Sequence, residues 1–583
     1  MEGRKKRRSN STWRVWAVIA VISLGGFAIV ARLVQLQILD HPQYAEAAKL
    51  MHMSQETIFD RRGALLDRNG YPLAASQDAY NVMVERDAWS DPAAAESAAT
   101  KLAAATGVPA QTMLDIVNSV DVFEVPVAKG LNYDKAVAVR GLNLKGVRLL
   151  DSPIRAYPEG NLAAQLLGFV GRDGSGLTGL EADLNSILGG ASGTLTYERD
   201  AAGQELALGN RSETPPQPGF NVVLTIDRYV QQIAEQELQK AIDLHHASGG
   251  SVVVVQPKTG QILAVAGSPS FDVTKPDLSD QSKEALFRNR AVTDTYEPGS
   301  VFKLFTMATA LNLGLVTPDS HWYDSGEVTY RDWTIRNWDL SANGDQTVQD
   351  LLTKSLNTGA AWLSSLCGPD NFYQYVQAFG FGAPTGSGLS GEAAGDVHTP
   401  QNDPADWGPL ELATNSFGQG ITVTPLQLAM GVSAIANGGT LMKPQFVKEI
   451  DGAAGAQPVQ PEAVHQVITP DTSRTLLTMM GVVADSISTN LLNVPGYQVG
   501  GKTGTAQVAD ANGGYKPNTY ISSFAGVVPL QDPQLVVIVK VDEAKDGLTG
   551  SAVAAPVFSA IANKVLPYLN IPPGDASLVS SQP

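Results

Sequence analysis

Cysteine is nearly absent: the 583 residues include one, Cys367, which excludes an internal disulfide. No C-x-x-C and no H-E-x-x-H occurs, and the seven histidines are scattered. No metal site, structural or catalytic, is expected, and no cofactor. No serine has glycine at both −2 and +2, which excludes the nucleophile elbow of the α/β-hydrolases. Repeats of 20–50 residues are lacking, so a solenoid or propeller is excluded. Positive charge is in short supply, 41 cations against 58 acids for a net charge of −17. Six of those cations (Arg4, Lys5, Lys6, Arg7, Arg8, Arg14) crowd into residues 1–14 beside the single acid Glu2, so the remainder is more acidic than the whole. An acidic body argues against nucleic acid as a partner.

Long apolar runs are missing with one exception. Val15–Ala31 is 17 residues without a charge, directly after the basic cluster, and Val34, Leu36, Ile38 and Leu39 extend it past Arg32. That length is near the lower limit for a membrane-spanning helix. The positive flank predicts a cytoplasmic N-terminus with the rest outside. A cleaved signal peptide is the rival reading, but the run is long for one and no A-x-A site stands out. An uncleaved anchor over 15–38 is therefore expected, behind a basic tail over 1–14.

Three short polar motifs follow in one order: Ser300-Val301-Phe302-Lys303, Ser355-Leu356-Asn357 and Lys502-Thr503-Gly504. Together they are the S-x-x-K, S-x-N, K-T-G set of serine acyl-transfer enzymes that react with penicillin. The three-residue spacing puts the Ser300 hydroxyl and the Lys303 amine on one face of a helix. The chain also holds decoys. Lys258-Thr259-Gly260 lies between two apolar runs and reads as a hairpin turn. Ser341-Ala342-Asn343 runs into Gly344-Asp345 and reads as a loop, and Ser488-Thr489-Asn490 ends only a dozen residues before Lys502. Ser355 sits between Leu351-Leu352 and Ala360-Ala361-Trp362-Leu363, a pattern that predicts a packed helix under it.

Elsewhere the patterning is coarse. Residues 40–56 read as a helical stalk, and 57 to about 215 as mixed structure without a catalytic triad. Residues 209–219, rich in Pro and Gly, form a linker or long turn. Asn221–Ile226 reads as a strand, Asp227 as the cap of a following helix, Leu535–Val541 as a late strand and Pro556–Val565 as a closing helix. Strands flanking a helical middle predict a sheet with helices packed on it. The tail from Pro572 is expected to be disordered.

The chemistry follows from the motifs. Ser300 opens a helix, where free N–H groups favour a developing oxyanion. A serine hydroxyl needs a base. Lys303 serves only if burial or a second cation, such as Lys502, lowers its pKa. Ser355 can pass the proton to the leaving nitrogen, and Asn357 can bind a substrate amide. Gly500-Gly501 and Gly504 clear space for a substrate backbone, so Lys502–Gln507 is read as a strand offering its edge to an extended peptide. The N–H of Thr505 would be the second oxyanion donor beside that of Ser300. The Thr503 and Thr505 hydroxyls, with Lys502, would hold a terminal carboxylate.

The chain resembles the class B penicillin-binding proteins. Tyr296-Glu297-Pro298-Gly299 before Ser300, Ser416-Phe417-Gly418-Gln419-Gly420 running into Thr424-Pro425-Leu426-Gln427, and Gly501–Ala506 carry the likeness in the second half. Arg61-Arg62-Gly63, Asp67-Arg68-Asn69-Gly70, Arg155 with Tyr157-Pro158, and Gly179-Leu180-Glu181 carry it in the first. Glu297 is more typical of the division-type, FtsI-like branch. The resemblance implies an α+β chain: anchor helix, mixed α/β pedestal (39–219), then a serine β-lactamase-like transpeptidase domain (220–571), an antiparallel sheet with helices packed on it, and a tail (572–583). It implies that Ser300 attacks the penultimate D-Ala carbonyl of a peptidoglycan stem peptide carried on a lipid-linked precursor or strand. An amine of a neighbouring stem then takes the acyl group, and β-lactam antibiotics acylate the same serine. It also implies partnership with a SEDS-type (FtsW-like) glycosyltransferase and division proteins at the plasma membrane. Leu356 and Val301 are small departures from the family pattern, and no wall-binding module is expected after the catalytic domain.

Rival readings are an elongation-type transpeptidase, a D,D-carboxypeptidase using water as acceptor, and a non-catalytic β-lactam-binding scaffold. Intact Ser300, Lys303 and Lys502 count against the last. Glu411 to Asn415 has the spacing of a β-lactamase deacylation loop but reads as structural. His245-His246 reads as the solvated or capping end of a helix.

Overall fold

A computed structural model describes residues 12–198, 206, 208–331, 333–405, 407–452, 455–510, 514–546 and 549–574. The basic tail up to residue 11 and the tail from residue 575 lie outside the described residues. By contacts the chain forms two units, 1–60 with 191–217, and 61–190 with 218–583.

In the first unit, Thr12–Val34 is one α-helix that continues through a π-helical turn, Gln35–Leu39. Twenty-three residues at 1.5 Å each give about 35 Å, enough for a bilayer core of roughly 30 Å. The most apolar 18-residue window of the 28-residue span Thr12–Leu39 has a mean hydropathy of 2.3, and none of that window is buried. The expected stalk is only partly helical. His41–His52 is a helix, but Met53–Ile58 is a strand paired antiparallel with Gly193–Glu198, which in turn pairs with Arg211–Thr214. Pairing with a partner some 140 residues away decided the strand, and no local pattern carries that information.

The second unit is built around a five-stranded, wholly antiparallel sheet. Its order is Gln261–Ser268, Gly249–Gln256, Leu535–Asp542, Tyr515–Val528, Gly500–Ala509. Side chains alternate across a strand, and both faces here are covered. Val252, Val254, Val537, Val539 and Val541 pack with helices Arg228–His245 and Gly550–Tyr568. Val253, Val255, Val536 and Ile538 pack into the larger core on the other face. Double burial explains why these strands read as unbroken valine runs.

That larger core contains helix Pro425–Ala436, buried at every residue and closed at its start by the reciprocal Thr424–Gln427 capping box. It also contains helix Lys303–Asn312, backed by Phe302, Phe305, Phe379 and Phe381 in edge-to-face and tilted contact.

Residues 61–190 supply a second sheet. Leu65–Leu66, Pro72–Gln77 and Ile154–Ala156 join Asn221–Leu224, Val447–Gly452 and Gly455–Pro458, so this sheet draws strands from both sides of residue 219. A separate small core lies under Tyr80–Glu85, Glu124–Leu131 and Val147–Asp151. The Arg62 and Arg155 motifs converge on Glu181, which is fully buried and ion-paired to them at 2.5 and 2.7 Å. A buried carboxylate held by two guanidinium groups fixes local register, and removing either partner is costly.

Candidate active site

Ser300 lies in a short 3-10 turn, Gly299–Phe302, that runs into helix Lys303–Asn312, so the expected helix opens on a tighter turn. The turn is wedged between two segments. Gly299 has φ +56° and donates its N–H to the Gly418 carbonyl at 3.1 Å. A Cβ on Gly418 would come within 2.3 Å of the Gly299 oxygen. On the other side, a Cβ on Gly299 would meet the Thr505 oxygen and Ala506 Cβ at 3.3 Å. The Ser416–Gly420 hallmark and the K-T-G strand thus clasp Ser300, and only glycine permits the approach.

One turn further on, Lys303 is the centre of the site. It is 1% exposed, with Nζ 3.1 Å from Ser300 Oγ, 2.6 Å from the Ser355 carbonyl, 3.2 Å from Ser355 Oγ and 2.8 Å from Asn357 Oδ1. Burial, then the nearby Lys502, holds its pKa well below the ordinary lysine value. A neutral amine has two hydrogens and one lone pair. The two shortest contacts are to oxygens that can only accept, which leaves the lone pair for the Ser300 hydroxyl. Lys502, also 1% exposed, donates to Ser355 Oγ at 2.9 Å and to the Thr503 carbonyl at 3.2 Å. Burial lowers its pKa to about 7.

Ser355 lies between two packed helices and not on the one expected under it. Ser355 is the left-handed cap, φ 60°, between helices Val348–Lys354 and Asn357–Cys367. A non-glycine residue in that region costs on the order of 1 kcal/mol or more. The conformation turns the Ser355 carbonyl and hydroxyl together onto Lys303. Its rigidity comes from hydrogen bonds: the Ser355 and Leu356 N–H groups both donate to the Leu351 carbonyl.

Lys502–Gln507 lies in strand Gly500–Ala509, the edge of the five-stranded sheet, with Lys502 opposite Ala525, Thr503 opposite Phe524, Gly504 opposite Ser523 and Thr505 opposite Ser522. Its outer edge pairs with no strand among the described residues. A Cβ on Gly504 would stand 2.4 Å from Ser523 Oγ and 2.9 Å from the Pro298 carbonyl, so glycine here lets the strand lie against the nucleophile turn. Thr505 Oγ1 accepts the Gly550 N–H at 3.1 Å and keeps its own proton to donate.

Two contributors, Asp324 and Asn337, have no signature in the sequence. Asp324, fully buried, accepts from Gly326 N–H, both Asn343 donors, Asn337 Nδ2 and the Thr358 hydroxyl. Asn343 belongs to a decoy S-x-N and serves this scaffold. Glu297 accepts the Gly420 N–H at 2.8 Å and the Tyr515 hydroxyl at 3.0 Å; burial raises its pKa. Of the other decoys, Lys258-Thr259-Gly260 is the hairpin turn between two sheet strands, with Gly260 at φ +73°. Glu411 lies in the short helix Pro409–Asn415. His245 ends helix Arg228–His245 with Nδ1 2.5 Å from Asp546, and His246 is its left-handed cap.

The chain matches two family descriptions: penicillin binding protein transpeptidase domain over residues 250–563, and penicillin-binding protein dimerisation domain over 57–224. It is 35% identical over 561 residues to stage V sporulation protein D of Bacillus subtilis, covering 94% of this chain and 85% of that protein. It is 30% identical over 572 residues to peptidoglycan D,D-transpeptidase FtsI of Escherichia coli, covering 96% and 93%. Among solved structures it is similar to penicillin-binding protein 3 of Mycobacterium tuberculosis complexed with aztreonam, with a TM-score of 0.68, 27% identity and coverage of 89% and 98%.

Proposed function

This chain belongs to the class B penicillin-binding proteins of division type, and from that premise we propose that it cross-links peptidoglycan stem peptides as a serine D,D-transpeptidase in septal wall synthesis. One observation carries the residue roles: two buried lysines and two serines in a continuous chain, Ser300 Oγ to Lys303 Nζ to Ser355 Oγ to Lys502 Nζ, at 3.1, 3.2 and 2.9 Å.

Neutral Lys303 takes the Ser300 proton as Oγ bonds to the penultimate D-Ala carbonyl carbon. The Ser300 and Thr505 N–H groups face the oxyanion. As the tetrahedral adduct collapses, the C–N bond breaks. The proton moves from Lys303 through Ser355 to the departing amine, and D-Ala leaves. The amine of a second stem then attacks the ester and gives up its proton along the same path, and the Ser300 hydroxyl is restored. Asn357 binds the substrate amide. Lys502, Thr503 and Thr505 hold the terminal carboxylate, with Gly504 leaving room for the peptide backbone. A β-lactam enters at the same serine, and the adduct persists because the opened ring stays attached. The aztreonam complex of the mycobacterial relative supports that reading.

The helix Thr12–Val34 is the anchor, with the basic cluster on the cytoplasmic side and the catalytic domain outside. Its unburied apolar surface and the pedestal are the docking place for a SEDS-type, FtsW-like glycosyltransferase.

The test is labelling of Ser300→Ala with a fluorescent penicillin, alongside cross-linking of a pentapeptide donor. The variant is expected to stay folded, with label and cross-links both at background. Labelling at another serine, or cross-linking that survives, would overturn the reading.

A further inference from the structure

The strand that carries Lys502 runs past the sheet it belongs to. Its neighbour, Tyr515–Val528, pairs with Leu535–Asp542 from Val528 back to Ile521, and there that ladder ends. Beyond that point Gly500–Ala509 and residues 515–520 go on as a two-stranded arm. The ladder within the arm is broken. Gln507 faces Tyr520, but Ala509 faces Tyr515, so Lys516, Pro517, Asn518 and Thr519 stand against Val508 alone. Pro517 has no N–H to give, and Asn518 has φ +50°. A two-stranded ribbon with such a bulge is poorly fixed by its own backbone.

The arm ends on the nucleophile turn. The Tyr515 hydroxyl donates to the Glu297 carboxylate, 3.0 Å from one oxygen and 3.2 Å from the other, and Glu297 is three residues before Ser300. Lys516, next along, pairs instead with Glu543, just past strand Leu535–Asp542. The turn is anchored elsewhere. Tyr296 and Val423 exchange backbone bonds at 3.0 and 2.9 Å, and the Gly299 N–H donates to the Gly418 carbonyl at 3.1 Å. The Gly420 N–H donates to Glu297 at 2.8 Å, and the Thr306 hydroxyl to the Ser416 carbonyl at 2.7 Å. Residues 416–423 therefore hold both the turn and its carboxylate in place, and the Tyr515 hydroxyl brings the arm to them. Breaking that one bond loosens the arm and leaves Ser300 where it is.

We propose that Tyr515 is a positioning residue: its hydroxyl, seated on Glu297, holds residues 507–509 beside the nucleophile turn, so that a donor peptide can pair along that edge upstream of the bond to be cut. This rests on the cross-linking reading above, which puts the donor's terminal carboxylate at Lys502 and Thr505 and its scissile carbonyl at Ser300. The chain before that carbonyl then runs antiparallel along residues 506–509, about 13 Å of strand. Tyr515 thus governs how well a long donor is held, and not the chemistry at Ser300.

The experiment compares two D-alanyl thioesters that share a leaving thiol, one capped by acetyl and one carrying the preceding residues of a stem peptide, on the full chain in detergent micelles. Thiol release in a single turnover gives a limiting rate and a half-saturating concentration for each. Tyr515→Phe is expected to raise the half-saturating concentration of the long donor about tenfold, with little change in its limiting rate, and to move the short donor far less. In a Glu297→Ala background the same substitution is expected to add nothing, since its acceptor has gone. No change on either donor, equal losses on both, a fall in limiting rate alone, or an undiminished effect without Glu297 would each overturn the proposal. Fluorescent penicillin labelling of wild type reads the serine assignment separately. Wild type that takes penicillin and both thioesters, with no length-dependent loss in the variant, keeps the cross-linking reading and sinks this one. Wild type that takes penicillin but neither thioester sinks both.

Discussion

Asn337 Oδ1 accepts the Asn357 N–H at 3.0 Å, the Thr358 N–H at 3.3 Å and the Thr358 hydroxyl at 3.0 Å. One amide, 1% exposed, thereby sets where the helix carrying the S-x-N asparagine begins. Its nitrogen donates to both Asp324 oxygens and to the Ser341 carbonyl. Asn337→Ala strands several buried donors and acceptors at once, at about 3 kcal/mol. A lower melting temperature together with slower β-lactam acylation is expected. Unchanged acylation would mean that Asn357 is held by other groups.

Lys303→Ala removes the amine that reaches Ser300 Oγ. Acylation by a fluorescent penicillin is expected to slow about a thousandfold, measured as a single-turnover rate on protein that still unfolds cooperatively. A rate near wild type would hand the proton to another group.

The pH profile carries a sign. Only uncharged Lys303 can act as base, so acylation falls as pH drops through its depressed pKa, the depression coming from burial first and Lys502 second. Lys502→Gln removes the second cation, which lets the Lys303 pKa rise. The midpoint of the acid limb should therefore move to higher pH, whatever the effect on the plateau rate. A midpoint that stays put or moves down would exclude coupling between the two lysines.

Lys502 also predicts a stability difference. Its folded pKa, about 7, lies below the ordinary 10.5. Between those values the unfolded chain binds more protons than the native one, so the burial penalty is greatest at low pH and fades as pH rises toward 10.5. Lys502→Met should be more stable than wild type by about 2 kcal/mol near pH 7, with the gain shrinking by about pH 10. Thermal melts of both proteins across that range check it; a gain that grows with pH would reverse the sign and refute it.

Gly504→Ala puts a methyl 2.4 Å from Ser523 Oγ, 2.9 Å from the Pro298 carbonyl and 3.0 Å from Val301 Cγ2. The edge strand must then back away from the nucleophile turn. A stability loss of about 1–3 kcal/mol and markedly slower acylation are expected by melting and stopped-flow labelling. Normal acylation would show that the strand tolerates the shift.

The site's chemistry is legible in the chain because it is written in residue types at short spacings. Ser300 and Lys303 share a helical face by sequence separation alone, and the glycines around Lys502 announce a close approach of backbones. The valine runs mark the central strands for the same local reason. Tertiary structure decided what depends on partners far away in sequence. Ser355 reads as helical from its apolar neighbours, yet it is a left-handed cap, a strained state that Lys303, 52 residues earlier, helps to hold. Asp324 and Asn337 have no motif, since their roles come from burial and from donors that converge only after folding. Met53–Ile58 became a strand through pairing with residues 193–198. Above all, the basicity of Lys303 belongs to no residue type: an amine becomes a base at neutral pH only when the packed fold strips away its water and sets a second cation beside it.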